Sequence, residues 1–225
     1  MRVDDQALVQ LITEEVLRYL ASSNGQRAPE GDTVQTGIPI GVSVRHLHLC
    51  RADLDALFGK GYELKPLREL YQPGQFAAQE TVTLVGPKGA ITGVRILFPL
   101  RKKTQVEVAR TDAIHLGVMP PVLLSVHDGV GAPITIVGPQ GSLYLPDALI
   151  RAKRHIHMSP RDAEQWGVRD REHVTVEVEG DQGALLKDVI IRVSPEYRAE
   201  MHIDTDEGNA MDLCCGQRAW IVAKD

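Results

Sequence analysis

The first twenty residues carry hydrophobic side chains at the spacing of an amphipathic helix. Acids and glutamines separate the apolar positions, which are Val3, Ala7, Leu8, Leu11, Ile12, Val16 and Leu20. This pattern predicts a helix within residues 1–20 that has one apolar face. Residues 21–36 show no periodicity, contain several Ser, Gly and Pro residues, and predict a linker. The apolar face of such a helix either packs on the body of the protein or docks on a partner.

From Gly37 onward the pattern changes to short runs rich in Val, Ile and Thr, bounded by turn residues. These runs predict β-strands at 38–44, 81–85, 91–97, 105–108, 122–126, 134–137, 174–178, 189–193 and 201–203. The Gly-Pro-x-Gly sequences at 86–89 and 138–141 predict turns between antiparallel strands. Short helices are expected at 53–58 and 160–166, the second with Ser159 as its N-cap. So many short strands at short spacing predict a mainly β fold of barrels or sandwiches.

One sequence feature occurs twice in the β-rich region. Arg-His-Leu-His at 45–48 recurs as Arg-His-Ile-His at 154–157, and similar strands and prolines follow both copies. An apolar-polar-apolar triplet ends each copy, centred on Glu107 in the first and on His202 in the second. Residues 61–79 are an insertion in the first copy only. The repeat predicts two tandem, duplicated domains at 37–148 and 149–225, with strand exchange between them allowed.

The repeated histidines predict metal binding. Alternate side chains of a strand share a face, so that His46 and His48 lie on one side, about 6.6 Å apart along the strand. The candidate ligands are His46, His48 and Glu107 in the first copy, and His155, His157 and His202 in the second. Three protein ligands with an open position are typical of catalytic zinc, although imidazole also binds iron, cobalt, nickel and copper. The alternative is ordinary surface or core histidines, which the duplicated context disfavours.

A basic sequence at 101–103 precedes Glu107. The planar guanidinium of Arg101 matches phosphate oxygens bidentately, which makes this residue a candidate phosphate clamp. The alternative is a solvated basic loop, since Lys102 and Lys103 adjoin it. Two further cations, Lys88 at a predicted turn and Arg95 on a predicted strand, could reach anionic groups of a larger ligand.

Composition excludes several classes of function. The net charge of −5 argues against general nucleic-acid binding, and no apolar run approaches the ~20 residues of a membrane span. The odd number of cysteines, three, and the absence of Cys-x-x-Cys predict neither a disulfide framework nor a cysteine-rich zinc site. A reducing cytosol is therefore expected.

The motifs resemble those of the PduL-type phosphate propanoyltransferases, a family of phosphotransacylases. The resemblance covers about residues 37–213 and is carried by the segments at 39–49, 154–159 and 201–210. It implies two tandem β-barrels with short capping helices, two zinc ions between them, and exchange of coenzyme A for phosphate on a short acyl group. The substrates would be propanoyl-CoA or acetyl-CoA together with phosphate. Val44 differs from the family pattern, in which a polar residue such as Asn is common.

The resemblance also implies roles for individual residues. The six candidate ligands would hold the two zinc ions, and Arg101 would be the catalytic residue that binds phosphate. The coenzyme A contacts would be Gly41, Val42, Ser43, Lys88, Arg95 and Asn209. The segment 1–20 resembles the encapsulation peptides that bind shell or core proteins of bacterial microcompartments. We therefore expect the compartment lumen as the location, or the cytoplasm without encapsulation, and self-association into a homo-oligomer is plausible.

Two other classes of function remain as alternatives. A dinuclear metallohydrolase would use a metal-bound hydroxide in place of phosphate, but the His-x-His-x-Asp-His arrangement is absent, because Leu49-Cys50-Arg51 follows His48. A non-catalytic microcompartment scaffold protein would carry the metals for structure alone. Release of thiol from an acyl-CoA, with and without phosphate, distinguishes the three.

Overall fold

The computed structural model describes residues 37–224. The helix expected within 1–20 and the linker expected at 21–36 lie outside this part. Its strands are β1 (Ile38–Ser43), β2 (His46–His48), β3 (Pro66–Glu69), β4 (Phe76–Val85), β5 (Ala90–Phe98), β6 (Gln105–Glu107), β7 (Val122–Leu123), β8 (Ala132–Val137), β9 (Ser142–Ala152), β10 (His155–Met158), β11 (His173–Val178), β12 (Ala184–Val193), β13 (Glu200–Asp204) and β14 (Arg218–Lys224). Its helices are α1 (Arg51–Phe58), α2 (Arg110–Leu116), α3 (Pro160–Trp166) and α4 (Thr205–Ala210).

The strands form two closed barrels, which confirms the mainly β fold predicted from the sequence. The first barrel is the ring β4-β5-β2-β6-β9-β8, which closes because β8 pairs with both β9 and β4. The second barrel is the ring β1-β13-β10-β12-β11-β14. Strands β3 and β7 extend the first barrel alongside β4 and β9.

The chain crosses between the barrels at two equivalent places. Strand β1 belongs to the second barrel, where it pairs with β13 and β14. The first strand of the expected domain 37–148 is therefore part of the barrel formed mainly by residues 149–225. The expected boundary at 148/149 falls inside β9, which stays in the first barrel to Ala152. The crossings are at 44–45 and 153–154, directly before the two His-x-His strands. Both histidine pairs therefore lie where the barrels meet.

Each barrel has its own hydrophobic core, and the distribution of apolar residues explains the exchange of β1. Ile38 and Ile40 are 1% exposed and pack in the core of the second barrel, with Ile156, Ile191 and Met201. Leu47, only seven residues after Ile40, is fully buried in the first core. Moving β1 to the first barrel would take these two isoleucines out of the second core. This would be unfavourable, because burial of apolar surface stabilises by about 25 cal/mol per Å².

The arginine that opens each repeated motif forms an ion pair with a helix. Arg45 reaches Asp112 of α2 at 3.1 Å, and Arg154 reaches Glu207 of α4 at 2.8 Å. These two acids lie five residues after Glu107 and His202 respectively, so that the repeat extends into the helices. Both arginines thus fix the helix that follows the third candidate ligand.

The helices agree in part with the sequence. Helix α3 spans the predicted residues, and the Ser159 hydroxyl accepts from the Asp162 amide at 3.1 Å, as expected of an N-cap. Helix α1 begins two residues before its predicted start. Helices α2 and α4 were not predicted, because α2 lacks a capping side chain at Ala109 and α4 has only six residues. Within residues 37–224, no helix is long and apolar enough to cross a membrane.

Candidate metal centres

The first group of candidate ligands forms where β2 and β6 pair. His46 and His48 share one face of β2, and the antiparallel register places Glu107 opposite His46. One ligand atom from each of the three residues lies within 4.8 Å of the other two. The Nε2 atom of His46 is 3.5 Å from Oε2 of Glu107. We call this group the first centre.

The second group repeats this geometry between β10 and β13. The antiparallel register places His202 opposite His155, and their rings stack with centroids 5.0 Å apart. The ligand atoms of His155, His157 and His202 again lie within 4.8 Å of one another. We call this group the second centre. The structure therefore brings together all six residues that the sequence selected.

Backbone carbonyls at the two crossings orient the first histidine of each pair. Nδ1 of His46 lies 2.8 Å from the carbonyl oxygen of Val44, and Nδ1 of His155 lies 2.8 Å from that of Lys153. Because a carbonyl only accepts hydrogen bonds, Nδ1 carries the proton and Nε2 keeps a free lone pair. Metal-binding histidines are usually fixed in this way by a partner at the other ring nitrogen.

Several histidine nitrogens are buried without a hydrogen-bond partner. They are Nδ1 of His48, both ring nitrogens of His157, and Nε2 of His202. An unsatisfied buried polar atom costs about 1–3 kcal/mol, so that a cluster of them in one place requires an explanation. A metal ion in each centre would take one lone pair from each histidine and so satisfy one ring nitrogen of each, and three ligands in each centre fit zinc.

The surroundings keep these histidines neutral, as metal ligation requires. Burial, with the charge of Arg101 adding to it, holds the pKa of His48 well below its usual value. Burial, followed by the proximity of His202, lowers the pKa of His155 to about 3. The pKa of His157 is also lowered, by burial and then by His155. Both centres therefore offer lone pairs at neutral pH.

The carboxylate of the first centre is ionised and firmly held. Burial alone would raise the pKa of Glu107, but His46, His48 and Arg101 outweigh burial and lower it to about 2. The side-chain amide of Gln105 donates to Oε1 of Glu107 at 2.5 Å. Gln105 is itself oriented by the amide of Val126, which donates to Oε1 of Gln105 at 2.9 Å. Sequence analysis missed Gln105, although it lies two residues before Glu107 on the same strand.

Arg101 lies close to both centres. Its charge lowers the pKa of His48 in the first centre and of His157 in the second. Its amide donates to the carbonyl of Leu49 at 2.9 Å, which fixes the start of the basic loop beside β2. Arg101 is an exposed residue, so that an anionic ligand can reach it, although burial lowers the pKa of its guanidinium.

A second arginine, Arg192, joins this region and was missed by sequence analysis. It lies opposite His157 in the parallel pairing of β10 with β12, and its charge lowers the pKa of both His155 and His157. Its guanidinium carbon is 5.8 Å from the ring centroid of Tyr197, which stacks on His157. The only signal in the sequence was the position of Arg192 three residues before Pro195.

The predicted coenzyme A contacts are distributed over several elements. Gly41 lies opposite His202 in the register of β1 with β13, and Val42 packs near Gly208 of α4. Ser43 ends β1, and Asn209 is exposed on α4. These residues border the second centre or the helix that follows it. Their ligand contacts stay predictions.

The other two predicted coenzyme A contacts lie on the first barrel. Arg95 is opposite His46, and its guanidinium donates to the carbonyl of Gln79 at 2.7 Å. Lys88 lies at the turn between β4 and β5, where its amide donates to the carbonyl of Leu116. Five strand residues separate Arg95 from the end of that turn, about 17 Å, so that only an extended ligand could touch both.

Comparisons with known proteins agree with this architecture. The family model described as phosphate propanoyltransferase matches residues 39–214. The chain belongs to the phosphate propanoyltransferase family. A phosphate propanoyltransferase of Thermotoga maritima is 56% identical over 190 residues, which are 84% of this chain and 90% of that protein. One of Lachnoclostridium phytofermentans is 50% identical over 95% of this chain and 98% of its own length.

Membership of this family makes the protein an enzyme, an acyltransferase. A phosphate propanoyltransferase of Salmonella typhimurium is 50% identical over 177 residues, which are 78% of this chain and 84% of that protein. Both candidate centres, Arg101 and Arg192 lie inside residues 39–214, the part that matches the family. The resemblance seen in the motifs is thereby confirmed.

Proposed function

We propose that this enzyme transfers a short acyl group, propanoyl or acetyl, reversibly between coenzyme A and inorganic phosphate at a dinuclear zinc site. The observation that carries the proposal is the position of Arg101, whose charge acts on a histidine of each centre. A guanidinium close enough to both candidate centres to act on a histidine of each is suited to bind an oxyanion next to a reacting carbonyl. The family name supports the reaction class.

The donor sets fit zinc. His46, His48 and Glu107 would hold one ion, and His155, His157 and His202 the other. The fit rests on buried histidine nitrogens that have no other partner and on Nδ1–H groups already committed to backbone carbonyls. When bound, zinc would supply Lewis-acid polarisation of the thioester carbonyl or stabilisation of the coenzyme A thiolate.

The side chains of the chain position the phosphate. The fork of Arg101 binds two phosphate oxygens, and the nearby charge of Arg192 adds to the attraction of the anion. A phosphate oxygen then forms a bond to the acyl carbon, the carbon–sulfur bond breaks, and coenzyme A leaves as the thiolate. Holding the phosphate beside the carbonyl makes the reaction effectively unimolecular, so that a serine or cysteine nucleophile is not required.

The coenzyme A moiety would extend from this site across both barrels. Gly41, Val42, Ser43 and Asn209 border the second centre, whereas Arg95 and Lys88 follow β5 away from the first. The two cations would meet anionic groups of the ligand. This assignment predicts that Lys88→Ala raises the KM for acyl-CoA and leaves the KM for phosphate unchanged.

Release of free thiol tests the reaction. The zinc-loaded enzyme is mixed with propanoyl-CoA or acetyl-CoA, with and without phosphate. Phosphate-dependent release that forms acyl phosphate supports the transfer. Equal release without phosphate would instead indicate hydrolysis, and no release with either substrate would contradict the proposed acyl groups.

The N-terminal segment suggests where the enzyme works. We propose that residues 1–20 dock on a shell or core protein and deliver the enzyme to a microcompartment lumen. The support is the apolar face in the sequence and the linker that separates it from the barrels. A fluorescent protein fused to residues 1–36 should co-purify with assembled compartments. Recovery no greater than that of the unfused fluorescent protein would contradict the proposal.

A further inference from the structure

A carboxylate outside the two candidate ligand sets is buried beside the second centre. Glu200 lies on β13 opposite His157 and is 8% exposed. Its Oε2 atom is 3.0 Å from Nε2 of His202, without the direction of a hydrogen bond. No lysine or arginine within residues 37–224 forms an ion pair with it. A buried carboxylate without a cation is strongly disfavoured, so that Glu200 requires a positive charge close by.

The insertion of the first repeat, residues 61–79, holds this carboxylate. Gln72 lies within the insertion and is 7% exposed. Its amide nitrogen donates to Oε2 of Glu200 at 2.9 Å and to the carbonyl of Arg198 at 3.0 Å. Its amide oxygen accepts from the backbone nitrogen of Arg198 at 3.2 Å. A loop of the first barrel is thus joined by one hydrogen bond to Glu200, on the strand that carries His202, and by two to Arg198, just before that strand.

The exchanged strand completes the enclosure of Glu200. A Cβ atom at Gly41 of β1 would lie only 2.6 Å from Oε1 of Glu200. Only a residue without a side chain leaves the carboxylate in place, because that separation is far shorter than a van der Waals contact. Glu200 is therefore fixed on one side by Gln72 and on the other by the backbone of β1.

The first centre shows what Glu200 replaces. The position equivalent to Glu200, opposite His48, is occupied by the neutral Gln105. The first centre instead has its carboxylate, Glu107, among its three candidate ligands, whereas the second has histidines only. The carboxylate is therefore a candidate ligand in the first repeat (Glu107) and lies outside the ligand set in the second (Glu200). Each centre keeps one buried negative charge, which a divalent cation would compensate.

We infer that Glu200 is a positioning residue of the second centre, whose buried carboxylate lies beside His202 and balances the charge of the metal held by the three histidines. Gln72 of the insertion holds Glu200 in that place. The inference rests on the zinc centres proposed above. It gives the insertion, which the repeat does not explain, a role in assembling the site from both barrels.

Zinc affinity tests this inference in the full-length protein. Metal-free enzyme is titrated with zinc against a chromophoric chelator, which resolves the two sites. Glu200→Gln keeps the shape of the side chain and still accepts from Gln72, so that it removes the charge alone. We expect it to weaken one of the two sites by about 10- to 100-fold. Glu196→Gln removes an exposed carboxylate in the preceding turn and should change neither site.

Two further variants assign the effect to the second centre. In a His155→Ala background, Glu200→Gln should leave the affinity of the remaining zinc unchanged. Gln72→Ala should weaken the same site as Glu200→Gln, and its effect should be smaller in the Glu200→Gln background, because the two residues are coupled. Since Gln72 is not a candidate ligand, Gln72→Ala still tests the role of Glu200 if Glu200→Gln does not fold.

The outcomes separate this inference from the proposed function. Two zinc ions in the wild type with unchanged affinities in Glu200→Gln and Gln72→Ala would overturn the role of Glu200 and leave the dinuclear site intact. An effect that persists in the His155→Ala background would also overturn it, because it would then belong to the first centre. A wild type that binds no zinc would overturn both.

Discussion

The two centres have the same construction and different chemistry. Each combines a His-x-His strand that begins at a crossing between the barrels with a third residue from the neighbouring antiparallel strand. The third residue is Glu107 in the first centre and His202 in the second. Duplication therefore preserved the backbone geometry, which fixes where ligand atoms meet, and left the charge of each centre free to diverge. The ligand set of a loaded first centre alone would carry a smaller net positive charge than that of a loaded second centre, and Glu200 would compensate this difference from outside the ligand set.

The largest expected effect comes from removing one ligand of either centre. His48→Ala and His157→Ala should each lower bound zinc from two ions to one per chain. A metal ion contributes several kcal/mol of transition-state stabilisation, so that turnover should fall by about 10³-fold or more. Elemental analysis and thiol release measure the two quantities on the same samples.

A histidine outside both centres is the matched control for this pair. His127→Ala changes an exposed side chain and should keep both zinc ions and full turnover. If His48→Ala lost no metal while His157→Ala did, the first centre would not be a zinc site. Full turnover of metal-free His48→Ala would contradict the proposed mechanism.

Arg101, whose charge acts on a histidine of each centre, should have the next largest effect. Arg101→Ala should lower turnover by about 10²- to 10³-fold, the usual consequence of losing one donor to a developing oxyanion. Both zinc ions and the melting temperature should be retained, since Arg101 is an exposed residue and belongs to neither ligand group. Steady-state rates at varied phosphate concentration, with metal content, check this prediction.

Lys102→Ala distinguishes a clamp from a basic loop. Lys102 is the exposed neighbour of Arg101 and should matter little if one guanidinium binds the phosphate. Equal losses in Lys102→Ala and Arg101→Ala would support the alternative, in which the loop attracts anions by its summed charge. The two variants therefore test whether one side chain serves both centres.

Much of this site could be predicted from the sequence because its spacing is local or repeated. The period of two along a strand places His46 and His48 on one face, and alignment of the two copies selects Glu107 and His202. The hydrogen bond between Gln72 and Glu200 could not be predicted, because the two residues are 128 positions apart and neither strand alternation nor the repeat relates them. The repeat predicts two domains and allows strand exchange, but it does not determine which barrel receives β1, because the exchange leaves the spacing of the motifs unchanged.

The pKa values of the histidines predict how metal-free enzyme responds to pH. His155, with a pKa lowered to about 3, stays neutral when the unfolded chain, with an ordinary value of 6.5, takes up a proton. The unfolded state then binds more protons, so that the free energy of unfolding falls as pH drops from about 6.5 to about 3. Above pH 6.5 this contribution is absent, because both states are neutral.

Replacing one of these histidines measures its share of that slope. His155→Gln should reduce the slope by up to about 1.4 kcal/mol per pH unit over this interval. Urea unfolding in the presence of a chelator, at several pH values, gives the free energies. A His155→Gln slope equal to that of the wild type would show that His155 titrates normally in the folded protein.

The smallest predicted effect concerns how the two barrels cap their helices. Helix α3 is capped within its own barrel by Ser159, whereas the Thr111 amide of α2 donates across the interface to Oδ2 of Asp206 at 2.8 Å. Ser159→Ala and Asp206→Ala should each lower the free energy of unfolding by about 1 kcal/mol. Only Asp206→Ala should speed hydrogen exchange at Thr111, and Asp206→Asn, which keeps an acceptor, should largely restore protection. Unchanged exchange at Thr111 in Asp206→Ala would mean that solvent satisfies the α2 terminus, and that the helices of the two repeats are capped independently.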